Sequence, residues 1–195
     1  MTALGRLWPA LLAAIILCSC SSPSPVLYTI SPVSGAEHHS GPKVVSVRQI
    51  GLARYLERPQ IVRSSENFRL DVLSNDWWGE PLNTMLARVL VQELAQRLPN
   101  STVLNEGGAI SSDTPDASVE VNIERLDLNA TGQLVLLSQA AVSFRGKGGQ
   151  VLRSYRFSVT PPSSGPQGEV AAISSAIGQL ADGLATTLSS SRPVR

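Results

Sequence analysis

The chain contains two cysteines, Cys18 and Cys20, separated by one residue at the end of an apolar run. A thiol can form a disulfide, ligate a metal or carry a covalent group. A disulfide stabilises a fold by closing a longer loop with specific Cβ geometry, which two neighbouring cysteines in a hydrophobic segment cannot do. A metal site would require further ligands at suitable spacing, and none follow.

The residues before Cys20 have the pattern of a bacterial lipobox. Leu17 stands three positions before Cys20 and the small Ser19 directly before it, whereas Cys18 would have Leu17 where a small residue is required. The apolar run 7–17, about eleven residues, is too short to span a bilayer and fits an export signal. We predict a signal peptide over 1–19 and a diacylglyceryl and N-acyl lipid on Cys20. The alternative is an ordinary secretory signal that leaves Cys20 as a free thiol.

Lipid on Cys20 predicts stable membrane attachment, because two or more acyl chains anchor a protein firmly whereas one anchors it only marginally. Position 21 is Ser21 rather than the aspartate that commonly retains such proteins at the inner membrane. The expected location is therefore the inner leaflet of the outer membrane, with the protein facing the periplasm.

Side chains that could perform catalysis are few. The two histidines, His38 and His39, lie in a Ser-, Pro- and Gly-rich segment without other ligands at metal-binding spacing, so we predict a solvated loop and no metal site. Asp71, Asp76 and Glu80 surround a tryptophan pair and could do acid–base work, but such carboxylates are more often caps or solvated residues. We predict no catalytic residue, no cofactor besides the lipid, and a binding module rather than an enzyme.

The composition does not favour nucleic acid as a partner. Sixteen Lys and Arg residues nearly cancel fifteen Asp and Glu residues, which leaves a formal net charge of +1. The chain has only three Phe, three Tyr and three Trp residues. A nucleic-acid-binding domain would instead show a basic patch and aromatic side chains for base stacking.

Four segments are predicted along the chain. They are the signal peptide (1–19), the lipidated N-terminus with a flexible tether (20–42), a single α+β periplasmic domain (43–190) and a disordered tail (191–195). Ser, Pro and Gly dominate the tether, which favours extended, solvated chain. Residues 26–30 interrupt it as a candidate short edge strand.

Apolar periodicity predicts two helices and a set of strands. Residues 80–98 and 169–189 carry apolar side chains at three-and-four spacing, so each helix is expected to lay this stripe on a sheet. Strands are predicted at 43–50, 60–63, 68–73, 102–104, 117–128, 134–144 and 151–159. A one-residue slip in the alternation predicts a bulge near Glu124 and Arg125. The expected fold is α+β, a two-layer sandwich of a mostly antiparallel sheet with both amphipathic helices on one face.

Four motifs and the Ala-rich C-terminal helix carry a family resemblance. The motifs are LYTISP (27–32), ARYLERPQIV (53–62), NDWWGEPLNTMLARVLVQELAQRLP (75–99) and VEVNIERLDLN (119–129). Their succession resembles the PqiC-type lipoproteins, the auxiliary subunits of ABC-linked MCE transport systems that move lipids between the inner and outer membranes. The resemblance implies an outer-membrane adaptor that docks onto an MCE-domain protein, self-associates as a homo-oligomeric ring and contributes to membrane integrity.

Tyr55, Arg58, Trp77 and Trp78 are the candidate partner-binding residues, because they lie in these motifs and outside the helix stripes. Adjacent residues of a strand face opposite ways, so one tryptophan is expected in the core and the other is available for contact. A buried structural role is the alternative for each. A different class of function also fits a tethered α+β domain, namely a structural envelope lipoprotein that scaffolds or activates another periplasmic complex such as a cell-wall synthase.

The lipobox leads to a first prediction. Replacing Cys20 with Ala should abolish labelling by a fatty-acid probe and release the protein from membranes, whereas Cys18→Ala should leave both unchanged because Cys18 is removed with the signal peptide. Metabolic labelling and membrane fractionation measure the two effects. A Cys20→Ala variant that stays labelled and membrane-bound would show that Cys20 is not the anchor.

Overall fold

The structure is a computed structural model that describes residues 24–110, 112, 114–146 and 149–190. The predicted signal peptide (1–19), the lipid on Cys20 and the predicted tail (191–195) lie outside these residues. Within the described ranges, no helix combines the length and the apolar character needed to cross a membrane.

The described residues form nine strands, two helices and a short 3-10 turn at Arg54–Leu56. In chain order the strands are β1 (Val26–Tyr28), β2 (Val44–Val47), β3 (Gly51–Leu52), β4 (Gln60–Ser64), β5 (Asp71–Trp78), β6 (Thr102–Asn105), β7 (Ala117–Leu128), β8 (Leu134–Phe144) and β9 (Gln150–Val159). The helices are α1 (Leu82–Arg97), between β5 and β6, and α2 (Pro166–Ser190), after β9.

The long strand β7 organises the sheet. Successive stretches of β7 pair with β2, β3 and β4, while β8 pairs along nearly its whole length. Beyond these neighbours, β6 extends the sheet from β2, β5 and then β1 extend it from β4, and β9 extends it from β8. All nine strands therefore belong to one sheet with β7 near its centre.

The predicted meander is present, but the prediction of a mostly antiparallel sheet is wrong. Strands β7, β8 and β9 pair antiparallel over long stretches. Among the described strands, however, five of the eight pairings are parallel: β1–β5, β2–β6, β2–β7, β3–β7 and β4–β7. The prediction failed because the alternation within one strand shows which face is buried but contains no information on the direction of the neighbouring strand.

Alternation along β7 shows which sheet face is covered. Val119, Val121 and Ile123 are buried, whereas the intervening residues are more exposed. The pairing with β8 shifts register between Ile123 and Arg125, which confirms the predicted bulge. After the bulge, two consecutive residues, Leu126 and Asp127, are both buried, so a carboxylate enters the protein interior.

Both helices cover that buried face and contact each other. α1 contacts β2 and β6, and α2 contacts β7, β8 and β9. The predicted stripes are buried in both helices: Leu82, Met85, Leu86, Val89, Leu90 and Leu94 in α1, with Leu98 just after it, and Val170, Ile173, Ile177, Leu180, Leu184 and Leu188 in α2. The predicted two-layer α+β arrangement is thus confirmed.

One predicted strand differs from the structure near β5. The strand expected at 68–73 begins only at Asp71 and continues to Trp78, so it contains the tryptophan pair. Residues before it form the β4–β5 turn, where Asn67 and Phe68 have positive φ angles of 54° and 62°. Backbone in this left-handed region ends a strand, a property that the apolar letters at 68–70 do not reveal.

Part of the predicted tether is packed against the domain. The candidate edge strand is present as β1, which pairs with β5. Beyond it, Ile30 is buried, and the backbone N–H of Val33 donates to Glu93 Oε1 at 2.8 Å. The prediction of a flexible tether over 20–42 is therefore wrong for residues 31–39, which together with the predicted strand segment form the N-terminal strap, residues 26–39. Its Ser, Pro and Gly residues fit the extended path, while its backbone polar groups find partners on both helices.

Arg97 fastens the strap to both helices. Its side chain is fully buried, with Nε 2.6 Å from Asp182 Oδ1 on α2. The guanidinium also donates to the backbone carbonyls of Val33, Glu93 and Gly178. One buried cation thereby joins α1, α2 and the strap, and each of its donor groups has an acceptor, as a buried charge requires.

Burial raises the pKa of Glu93 to about 7, an effect only partly opposed by its hydrogen bond from Val33 and by the nearby Arg97. Its ordinary pKa is 4.5, so between pH 4.5 and about 7 the folded protein holds a proton that the unfolded chain releases. Folding stability falls as pH rises wherever the folded state binds more protons.

We therefore predict that Glu93 makes the domain more stable at pH 5 than at pH 8. Glu93→Gln mimics the protonated side chain and should weaken this dependence, by about 1 kcal/mol or more over that interval. Urea unfolding of the two proteins at both pH values measures the difference, and the exposed Glu37→Gln is the matched control. Parallel pH profiles for wild type and Glu93→Gln would show that Glu93 is ionised in the fold at neutral pH.

Candidate docking surface

Strand β5 places the two tryptophans on opposite sides. Trp78 is 7% exposed and belongs to the core, and its backbone N–H donates to the Pro59 carbonyl. Trp77 is only partly buried, with its indole Nε1 donating to the Ser74 carbonyl at 3.1 Å. The expectation that one tryptophan enters the core and the other remains accessible is confirmed, and Trp77 is the accessible one.

Trp77 adjoins the edge of the sheet. In the β1–β5 pairing it lies across from Leu27, whose side chain is 63% exposed. Strand β1 has β5 as its only partner among the described strands. An accessible indole beside an exposed leucine at a sheet edge is the type of surface that aromatic-rich protein interfaces use.

Arg58 lies in an apolar groove at the end of β5. The groove has a volume of about 460 Å³, and its lining includes Leu52, Arg58, Pro59, Trp78, Pro81 and Leu82. The 3-10 turn positions Arg58, whose Nε donates to the Tyr55 carbonyl at 2.8 Å. This bond holds the Arg58 side chain in place where it lines the groove. Arg58 and Trp78 are thus brought to one site, Trp78 as part of its floor.

A larger concavity of about 650 Å³ lies on the sheet face away from the helices, over β7, β8 and β9. Three of its charged residues, Arg48, Glu106 and Glu120, form ion pairs with one another. Arg48 NH1 lies 2.7 Å from Glu120 Oε1, and Arg48 Nε lies 3.4 Å from Glu106 Oε1. The apolar groove is the better docking candidate because its lining is less committed to internal ion pairs.

Tyr55 belongs to an internal polar network, so its hydroxyl is not free to bind a partner. Its hydroxyl donates to Asp127 Oδ2 at 2.8 Å, and Ser65 donates to the same oxygen at 2.7 Å. Arg125 Nε reaches Asp127 Oδ1 at 2.9 Å, and its NH2 reaches Glu66 at 2.5 Å. Burial, followed by the hydrogen bond to Asp127, raises the pKa of Tyr55 well above its ordinary value.

The carboxylates considered for acid–base chemistry are in part structural. Asp76 accepts a hydrogen bond from the Tyr28 hydroxyl at 2.9 Å. Glu80, just before α1, pairs with Arg88 on that helix at 2.5 Å. The histidine pair is divided, since His39 is exposed whereas His38 is partly buried with Nδ1 3.2 Å from Ser189 Oγ.

Sequence analysis missed the buried ionisable residues. Asp127, Glu93 and Arg97 are fully buried, and Glu169 is 1% exposed at the start of α2. Burial raises the pKa of Glu169 to about 7, and Arg63, with Nε 3.8 Å from the carboxylate, opposes this shift. The available signal was a polar residue that interrupts an apolar stripe. That signal was not enough, because the sequence alone does not show whether a partner for the buried group lies across the fold.

Comparison with solved structures supports this two-layer α+β architecture. One uncharacterised protein matches with a TM-score of 0.72 at 17% identity, covering 86% of this chain and 100% of the other. Protein XCC0632 from Xanthomonas campestris matches with a TM-score of 0.66 at 15% identity, covering 84% of this chain and 94% of the other. At these identities the similarity shows the fold alone. Among curated proteins, none matches the chain.

The family follows from the sequence itself. The model of the family described as "ABC-type transport auxiliary lipoprotein component" matches residues 27–185, most of the chain. The chain belongs to this family. The match confirms the resemblance drawn from the motifs, and it covers the strap from residue 27 onward and all four candidate docking residues.

The network around Asp127 leads to a prediction for Tyr55. Tyr55→Phe should lower the free energy of unfolding by about 1–3 kcal/mol, because it removes a hydrogen-bond donor from a buried carboxylate. Tyr155→Phe is the matched control, since Tyr155 stacks on Phe157 and its hydroxyl makes no hydrogen bond with a described residue. Urea unfolding measures both. Equal stability of Tyr55→Phe and wild type would mean that the network contributes little.

Proposed function

We propose that this protein is an outer-membrane-anchored periplasmic lipoprotein that serves as the docking subunit of an ABC-linked MCE-type lipid transport system. The observation that carries the proposal is the family match over residues 27–185, which makes the chain an auxiliary lipoprotein component of ABC-type transport. The proposal extends this role to an MCE-domain partner, an outer-membrane location and a contribution to membrane integrity.

The anchor is assigned to Cys20 by the lipobox, and Ser21 favours transfer to the outer membrane. A diacylglyceryl and an N-acyl chain together hold a protein on a bilayer without a membrane-spanning helix. The fold then has to provide a partner-binding surface rather than reaction chemistry. Accordingly we propose a non-enzymatic role, and the structural partners of Asp76 and Glu80 are consistent with it.

The proposed contact with the MCE-domain protein is the groove together with the Trp77 edge. Binding energy at protein interfaces is concentrated in a few Trp, Tyr and Arg residues near well-packed pockets. Trp77 is accessible, and Arg58 lines an apolar groove formed by Pro59, Trp78 and Leu82. Self-association into a ring, which the family resemblance implies, would present several copies of this surface to one partner.

The test is capture of the cognate MCE-domain protein by the full-length, processed lipoprotein in detergent. Trp77→Ala and Arg58→Ala should each weaken binding by roughly 2 kcal/mol, about 30-fold, while the melting temperature barely changes. Leu152→Ala is the control, because Leu152 is 70% exposed and lies on β9 away from the groove. Trp78→Ala should instead lower stability, since it removes a large core side chain.

Two outcomes contradict parts of the proposal. Unchanged capture by stable Trp77→Ala and Arg58→Ala variants would place the docking surface elsewhere on the domain. Failure of the wild-type protein to capture any MCE-domain protein, together with capture of a cell-wall synthase, would replace the transport role by the scaffold role.

A further inference from the structure

The β4–β5 turn, residues 65–70, presents an aromatic ring to solvent. Phe68 is 110% exposed, so its side chain makes less contact with the protein than it would in an extended peptide. Its backbone has φ of 62°, directly after Asn67 with φ of 54°. Asparagine tolerates this left-handed conformation, but for a bulky residue it is a genuine outlier that costs free energy.

Neither folding nor packing explains a phenylalanine at this position. Glycine would adopt the same backbone conformation without strain, and the fully exposed ring gains nothing from the core in return. A strained, solvent-directed aromatic residue is therefore evidence for a contact with something outside the domain. The adjacent residues are Arg69, for which no ion pair with a described residue is present, and Leu70, which is also exposed.

The position of β1 relates this turn to the lipid anchor. β1 runs parallel to β5, with Val26 across from Asp76, so the chain enters β1 from the direction of Asp71 and the β4–β5 turn. Asp71 lies five residues before Asp76, about 17 Å along the strand. Val26 lies six positions after Cys20, and six residue steps of extended chain span about 20 Å. Cys20 can therefore lie beside the turn.

The turn itself presents two exposed apolar side chains. Phe68 and Leu70 are two of the seven large hydrophobic side chains that are exposed in the described part of the chain, and Arg69 lies between them in sequence. Apolar side chains at the level of a bilayer surface, accompanied by a cation, are the composition of an interfacial membrane contact. Arg69 can extend its charge to lipid phosphates while its methylene stem stays in the apolar layer.

We propose that the β4–β5 turn is a membrane-contacting element, in which Phe68 and Leu70 enter the bilayer interface beside the acylated N-terminus and Arg69 contacts lipid phosphate groups. The proposal rests on lipid attachment at Cys20, as given under the proposed function. A lipid bilayer is the expected partner because the chain that leads to the anchor enters β1 from the side of this turn, which brings the turn close to the membrane.

The anchor makes even a weak contact effective. A tethered group meets its target at a high local concentration, so a single ring and a leucine suffice to bias the orientation of a domain already held at the bilayer. The contact would direct the Asp71 end of β5 toward the membrane. The docking groove lies at the Trp78 end of the same strand, about 23 Å away along β5, and would face the periplasm.

The test uses site-specific labelling of the full, processed lipoprotein. Once Cys20 is acylated and the signal peptide removed, a cysteine introduced by Phe68→Cys is the one reactive thiol of the mature chain. Leu152→Cys is the matched control, at a site that is 70% exposed near the opposite end of the sheet. Each variant is labelled with an environment-sensitive fluorophore and reconstituted into vesicles of phosphatidylethanolamine and phosphatidylglycerol.

The label at position 68 should shift its emission to the blue, lose quenching by aqueous iodide and gain quenching by spin-labelled lipid, while the label at 152 stays aqueous. A label at 68 that remains iodide-accessible in protein shown by flotation to be vesicle-bound would overturn this proposal and leave the anchor intact. Loss of flotation would instead contradict the proposed function. Protection that depends on protein density in the vesicle, without lipid quenching, would assign the turn to a second copy and also overturn it.

A second variant separates the contact from folding. Phe68→Gly should leave the melting temperature unchanged or raise it, because glycine relieves the left-handed backbone. In vesicles, a label on Asn67→Cys should be less protected from iodide when combined with Phe68→Gly than when Phe68 is present. A large loss of stability in Phe68→Gly would show that the ring serves the fold and would overturn the proposal.

Discussion

The burial of the Arg97 guanidinium is the interaction on which the arrangement of helices and strap depends. A cation removed from water is tolerated only when its donors are satisfied, and here the acceptors come from both helices and from Val33. The strap lies very close to the Arg97 side chain, because a Cβ added at Gly35 would fall 2.4 Å from the guanidinium. The strap can cross Arg97 because that position has no side chain.

A second buried charge organises the opposite side of the fold. The bulge after Ile123 changes the register of β7 and leaves Asp127 fully buried. Tyr55 and Arg125 satisfy its oxygens, so the 3-10 turn is tied to the central strand. The groove next to that turn is consequently held by a network rather than by loop residues alone, which suits a surface that must keep its shape for a partner.

The two ends of β5 have different chemistry, and this polarity relates the fold to the proposed role. At the start of the strand, the β4–β5 turn exposes Phe68 on the side from which the anchor chain enters. At its end, Trp78 contributes to the floor of the apolar groove, and Trp77 is accessible on the other side of the strand. A short, rigid element thus separates the end suited to lipid from the end suited to a protein partner.

Much of this protein could be predicted from sequence where one residue's neighbours along the chain decide its environment. Apolar spacing is enough to place α1, α2 and the meander, because burial of a stripe or of alternate residues is a local, periodic property. The lipobox and the four motifs likewise need only adjacent residues, and they lead to the family that the comparison confirms. The opposite orientation of Trp77 and Trp78 follows from the strand period alone.

Tertiary structure decided the features that depend on partners distant in sequence. Strand direction in the mixed sheet, the packing of the strap and the burial of Arg97 each require a group more than 50 residues away, such as Asp182 or Val33. The same reason removes Tyr55 from the exposed docking residues, since its hydroxyl is bound by Asp127, 72 residues further along the chain. Periodicity shows which side of an element is buried, but the charge that a buried polar group meets there depends on how the whole chain folds back on itself.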